Sequence, residues 1–134
     1  MKRVLPVFIL ISVFAFSCRK EPKVVSGGVV RALITVQHHG VPIANAAVFY
    51  KKGTIDFPGT DTTQYDGRFQ CDANGRYTFD NLPNGQSQYI FYAKGVDPGW
   101  DSTHVTPVWG YEYLLIDTHT GENKDYPLSI PVSE

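Results

Sequence analysis

Gln88-Tyr89-Ile90-Phe91-Tyr92-Ala93-Lys94 decides the fold. Successive side chains of a strand point to opposite faces, so Tyr89, Phe91 and Ala93 share one side and Gln88, Ile90 and Tyr92 the other. Apolar groups on both sides mark a central strand covered from two directions. Immediately before it, Leu82-Pro83-Asn84-Gly85 forms a turn. Further upstream, residues 68–71 and 76–79 flank Asp72-Ala73-Asn74-Gly75. Asn-Gly between alternating runs predicts a hairpin, because both residues tolerate positive φ.

The same alternation continues toward both ends. Val30, Ala32, Ile34 and Val36 recur at spacing two, and Gly40-Val41-Pro42 breaks that strand. Residues 46–51 start the next one, with Ala47 and Phe49 on one face. Residues 53–61, with Pro58-Gly59, read as a loop, and residues 62–65 as a further strand ending at Asp66-Gly67. Downstream, residues 95–103 are loop-like. Residues 105–116 hold one or two strands, bent near Pro107 or Gly110, with Tyr111, Tyr113 and Leu115 on one face in the ordinary pattern of a core. After a turn at Thr120-Gly121-Glu122-Asn123, Leu128, Ile130 and Val132 share a face, and Pro127 with Pro131 puts that last strand at an edge. The expected fold is all-β: a single antiparallel β-sandwich of about seven strands over residues 29–134.

Composition agrees with short strands and tight turns: eight Tyr, eight Phe and two Trp stand beside twelve Gly and nine Pro in 134 residues. From Gly27 onward seven Lys/Arg oppose twelve Asp/Glu, a balance of −5. Such a domain repels phosphate backbones, so nucleic acid is not an expected partner.

Residues 1–17 read as a cleaved signal peptide, with Lys2 and Arg3 ahead of an apolar stretch over residues 4–16. A helix of those thirteen residues reaches about 20 Å, short of a hydrocarbon core of about 30 Å. Ala15-Phe16-Ser17-Cys18 resembles the lipobox of bacterial lipoproteins in its looser Bacteroidetes form, with Phe16 departing from the more frequent residues there. The resemblance implies cleavage before Cys18 and a lipid on its sulfur. Several acyl chains hold stably where one binds reversibly, at about 0.8 kcal/mol per buried methylene. Residues 18–28, containing Pro22, Ser26, Gly27 and Gly28, make a lipidated flexible tether. The positions after Cys18 lack an acidic cluster, which in that group implies the periplasmic side of the outer membrane rather than surface exposure. Cys71 is then the lone thiol, and its alternation with Phe69 places it on an apolar face.

Gly40-Val41-Pro42-Ile43-Ala44-Asn45-Ala46-Ala47-Val48, Asp72-Ala73-Asn74-Gly75-Arg76-Tyr77-Thr78-Phe79 and Asn81-Leu82-Pro83-Asn84-Gly85 together resemble the carboxypeptidase regulatory-like domain. That group is similar in fold to transthyretin and the Cna B-type domains of bacterial surface proteins. The resemblance covers about residues 29–94, rests on turn-forming residues, and implies a transthyretin-like sandwich with an accessory role. Transthyretin-like hydrolases carry a His/Arg set and a C-terminal Tyr-Arg-Gly-Ser that this chain lacks. For an isopeptide crosslink of the Cna B type, the first strand offers Arg31 instead of Lys.

Little in the sequence points to a reactive centre. His38 and His39 are adjacent and would point to opposite faces, while His104 and His119 fall in loop-like sequence; solvent exposure is the simpler reading for all four. Asp56, Asp61, Asp66 and Asp72 cluster within seventeen residues and are the calcium candidates, although the ion needs six to eight oxygens and Asp at turns commonly serves the backbone. Asp97 and Asp101 are a paired-acid candidate without a visible cleft. Neither a nucleophile elbow nor a phosphate-binding glycine loop occurs. No cofactor is expected. Trp100, Trp109 and Tyr111 are the candidate contact residues, with Trp100 beside Pro98-Gly99 the best surface candidate. The expected function is a non-enzymatic, membrane-anchored envelope lipoprotein acting as an accessory or protein-binding module. A glycan-binding lipoprotein using the aromatic loop is the alternative, and a small hydrolase a distant third.

Overall fold

A computed structural model of the protein describes residues 28–99, 105–118 and 121–134. The leader, Cys18 and most of the tether lie outside those residues, as do Trp100, Asp101, His104 and His119. Eight strands follow in order: β1 (Val30–His38), β2 (Val41–Pro42), β3 (Ala47–Lys52), β4 (Gly67–Gln70), β5 (Arg76–Leu82), β6 (Gln86–Asp97), β7 (Thr106–Asp117) and β8 (Lys124–Pro131). The described residues contain no α-helix. The fold is all-β.

Two four-stranded sheets enclose one core. In the first, β1 lies between β5 and β8, and β2 folds back on the end of β1. In the second, the order is β4-β3-β6-β7. The expected alternation of β1 holds, with Val30, Ala32, Ile34 and Val36 all buried. Leu128 and Ile130 of β8 and Tyr89, Phe91 and Ala93 of β6 meet them in the same core. β6 is central and buried from both sides, as its double apolar pattern predicts. β8 pairs with β1 alone, so Pro127 and Pro131 do sit on an edge strand, where a missing N–H costs no ladder bond.

Four local readings are corrected. The sandwich is not wholly antiparallel: β8 runs parallel to β1 over eight residue pairs, from Val30↔Lys124 to Gln37↔Pro131. Residues 72–75 do form a tight turn, with Gly75 at φ 66°, but it is not a hairpin. β4 pairs with β3 and β5 with β1, so this turn carries the chain from one sheet to the other. Asp72 fixes it by accepting from the N–H of Asn74 at 2.8 Å and of Arg76 at 2.9 Å. The true two-residue hairpin lies between β1 and β2, where His39 (φ 48°) and Gly40 (φ 80°) both adopt positive φ. Residues 62–64 form a 3₁₀ turn capped by Asp61 instead of a strand. Its side chain takes the N–H of Thr63 at 3.0 Å, diverting the backbone from a ladder.

The fourth correction concerns β7, one unbroken strand of twelve residues. Val108, Gly110, Leu114 and Ile116 face the core, and Tyr111, Tyr113 and Leu115 face outward, opposite to the core reading. Both parities of this strand carry apolar residues, and the one that faces inward also holds Glu112, so hydrophobicity does not choose it. Space does. A Cβ on Gly110 would come within 1.9 Å of the Pro131 carbonyl oxygen, so only glycine can face inward where the end of β8 crosses β7.

Candidate functional site

The outer faces of the two sheets differ in chemistry. Over the first sheet, Arg31 holds Asp125 through two bonds of 2.8 and 2.7 Å, and Gln37 donates to Ser129 Oγ at 2.7 Å. These side chains are the ordinary furniture of a solvated face, interrupted by the exposed Leu33. The second sheet instead carries cross-strand rows of large side chains: Phe49, Tyr92 and Tyr111 in one, Ile90 and Tyr113 in the next.

The loop between β3 and β4 partly covers this second face. Its entrance is fastened by Gly53 N–H to Gln88 O at 2.8 Å and Gln88 Nε2 to Gly53 O at 2.9 Å. Its exit is fastened by Asp66 N–H to Tyr50 O and Lys52 N–H to Asp66 Oδ2, both at 2.8 Å. Between these ends Tyr65 stacks on Tyr92 at 5.7 Å with the rings 25° apart, and donates its hydroxyl to Gly59 O at 2.8 Å. Desolvation pushes that hydroxyl up to about 12, with Tyr92 contributing less. Phe57 stacks on Tyr111 at 4.2 Å with the rings 7° apart, and lies nearly parallel to Trp109 at 6.1 Å. Phe49, Ile90 and Tyr92 are consequently buried on what is formally the outer face.

Beyond Phe57 the cover ends. Trp109, Tyr111, Tyr113 and Leu115 succeed one another at spacing two along β7, each 42–53% exposed. Four large apolar groups in line on an edge strand form a contiguous patch, the kind of surface that marks a contact site more than solvated surface. Of the three candidate contact residues, Trp109 and Tyr111 are brought together here, and Trp100 is outside the described residues. Phe57 was not legible as a member, although an aromatic residue in a long loop has to find cover somewhere.

The end of the patch opens into a groove of about 730 Å³ lined by Leu115, Asp117, Lys52, Gln86 and Ser87. Asp117 accepts from Tyr126 Oη at 2.6 Å and Lys124 Nζ at 2.9 Å. Those bonds hold its carboxyl at about 2, below the ordinary carboxylate range, with Tyr126 the larger cause.

The remaining candidates take other roles. Asp61, Asp66 and Asp72 spend their carboxylates on turn and backbone N–H groups, and Asp56 lies elsewhere in the β3–β4 loop. Among the described residues no three His, Cys, Asp or Glu side chains converge as metal ligands. His38 departs from the solvent-exposed reading. It is half-buried at the end of β1, with Nδ1 2.5 Å from Asp97 Oδ2. The hydrogen bond from His38, then the N–H of Gly99, lowers the Asp97 pKa. No spacing rule connects residues 59 positions apart, so this pair was invisible in the sequence. Cys71 is buried in the core as its alternation requires, and desolvation raises its thiol to about 11.

No family model matches the chain, and no curated protein does. Among solved structures, the 9R-lipoxygenase from Cyanothece superposes with a TM-score of 0.32 at 15% identity, over 82% of this chain and 17% of that one. The chain thus spans under a fifth of that enzyme's length, and a likeness this slight bears on neither fold nor activity.

Proposed function

We propose that this protein is a lipid-anchored envelope module with a transthyretin-like sandwich, working as a non-enzymatic accessory that binds a partner protein through the outer face of the second sheet. The single observation that carries the binding face is the line of Trp109, Tyr111, Tyr113 and Leu115, exposed beside a first sheet whose outer face is polar. Aromatic residues supply large contact area at low conformational cost, which is why they dominate interface hot spots. The anchor is supported by the lipobox-like Ala15-Phe16-Ser17-Cys18, and the periplasmic side of the outer membrane by the missing acidic cluster in Arg19-Lys20-Glu21. Nine residues lie between Cys18 and Gly28, and the ten Cα–Cα steps span at most about 35 Å.

The alternative, glycan binding, has less support on this face. Sugar stacking needs an open ring face, and Phe57 already lies flat against Tyr111. The test is crosslinking in native membranes, followed by purification of the wild type, a Trp109→Ser/Tyr111→Ser variant and a Leu33→Ser control. A protein captured by the wild type and control but lost from the double variant is the expected result. Equal capture by all three would remove the face from consideration. Binding of the wild type on a glycan array, abolished by Tyr111→Ser, would move the function to the alternative.

A further inference from the structure

The outer edge of β7 is separate from its outer face and has its own chemistry. Trp109 exchanges two backbone hydrogen bonds with Ser133, at 2.9 and 3.0 Å, on the side away from β6. In an antiparallel ladder the backbone groups of alternate residues point the same way, so those of Tyr111, Tyr113, Leu115 and Asp117 also point outward. Asp117 N–H is taken by Tyr126 Oη at 3.1 Å. Between these two closures no other strand among the described residues pairs with this edge. No described residue accepts from the N–H of Tyr111 or Leu115, and the N–H of Tyr113 is met by the carboxylate of its neighbour Glu112 at 3.0 Å.

Edge strands usually carry protection against pairing with another chain. β8 has Pro127, Pro131 and Lys124, and β4 is four residues long and carries Arg68. From Gly110 to Asp117, β7 has no proline, no lysine and no arginine; its protection is Glu112, a charge on the core-facing parity that caps the Tyr113 N–H. We infer that the stretch Tyr111–Leu115 takes a short, basic, extended segment of a partner protein by strand addition, a proposal that rests on the partner-binding reading above and specifies its mode.

Three observations select this occupant. A second copy of β7 fits poorly: antiparallel pairing centred on Tyr113 sets residue 117 of the copy opposite Trp109, where Ser133 already stands. A short segment that turns away after about five residues avoids Ser133 at one end and Tyr126 at the other. The charge is complementary as well. A partner carbonyl that replaces Glu112 at the Tyr113 N–H frees this carboxylate beside the incoming strand, where Lys or Arg would meet it. The balance of −5 from Gly27 onward draws basic segments toward the domain and repels acidic ones. Backbone bonds would then supply affinity and alternate side chains specificity.

The test uses a random heptapeptide library panned against the purified chain starting at Arg19, which retains every strand and the whole described core. Enriched peptides are expected to alternate apolar residues with Lys or Arg, and to protect the Tyr111 and Leu115 amides from hydrogen exchange. Leu115→Pro deletes an outward N–H without touching the β6–β7 ladder and should weaken binding at least about tenfold. Glu112→Lys, which leaves every backbone group in place, should weaken the basic peptides by a similar factor. Enriched peptides indifferent to both variants, or no enrichment, would overturn strand addition. If such peptides respond to Trp109→Ser/Tyr111→Ser alone, the binding face stands and only the mode falls. Peptides without basic residues that still need the Leu115 N–H would overturn the choice of occupant.

Discussion

Replacing Gly110 with alanine tests the join between the two sheets. The new Cβ would lie 1.9 Å from the Pro131 carbonyl oxygen, 2.9 Å from its carbon and 3.0 Å from the Val132 Cα. All three contacts are main chain, so no side-chain rotation relieves them. Either β8 lifts away from β7 or β7 bulges. Lifting breaks the paired Trp109–Ser133 bonds, each worth about 0.5–1.5 kcal/mol net, and overpacking itself costs about 1–3 kcal/mol. A loss of about 3 kcal/mol is expected. For the roughly 107 residues from Gly28 onward, unfolding entropy is about 0.22 kcal/mol/K, so the Tm should fall by about 13 °C. Gly40→Ala is the calibrating control: nothing lies within 4 Å of its Cβ, and the cost is confined to φ +80°, about 1–2 kcal/mol. Calorimetry on both variants decides. If Gly110→Ala melts with the wild type, or costs less than Gly40→Ala, then the end of β8 does not cross β7 and the outward parity of the aromatic line loses its cause.

Other perturbations separate core, surface and titrating groups. Phe91→Ala, at a fully buried position between the sheets, should cost about 3–5 kcal/mol in denaturant unfolding, whereas Leu115→Ser should stay within about 0.5 kcal/mol. The Asp117 carboxyl is depressed from 3.8 to about 2, so its stabilisation is complete above the unfolded value and lost as pH falls through the folded one. An NMR titration should show that midpoint, and Tyr126→Phe should move it upward. Cys71, raised to about 11, is about one-thousandth thiolate at pH 8, so a thiol reagent should label it only on unfolding. Asp72→Ala strips both acceptor bonds from the inter-sheet turn and should cost about 1–2 kcal/mol by thermal melt.

The sequence made some of this fold plain and hid the rest for identifiable reasons. Strands whose two faces differ are readable: Val30, Ala32, Ile34 and Val36 against Arg31, Thr35 and Gln37 leave a single choice of inner face. The centrality of β6 and the edge position of β8 were legible from double-sided apolarity and from proline. Asn74-Gly75 correctly marks a tight turn, but turn chemistry is local and cannot say whether its two strands pair or part. Partner choice is set by the core, where Phe79 of β5 and Phe69 of β4 meet across the sheets at 5.5 Å. Parallel pairing of the first and last strands likewise depends on the whole chain closing. Of the candidate site, Trp109 and Tyr111 were singled out as contact residues, yet the face shared by Tyr111, Tyr113 and Leu115 was assigned inward and Phe57 was not read.

That misassignment of β7 has a physical lesson in Gly110. A one-residue slip would turn Trp109, Tyr111, Tyr113 and Leu115 inward and Gly110 outward. The core has no room for them, since Phe91, Tyr89, Ile34 and Ile130 already fill the space between the sheets. The slip would also set the side chain of residue 109 or 111 against the Pro131 backbone, where even a methyl group does not fit beside β7. Closure by β8 therefore demands one glycine facing in, and that glycine forces its neighbours out. Phe57 can shield part of the resulting line, but a loop fastened at Gly53 and Asp66 leaves the residues from Tyr113 onward exposed. Aromatic residues there do nothing for the core. Three aromatic side chains and one leucine at alternate positions on an edge strand are the apolar area that the proposed partner would cover.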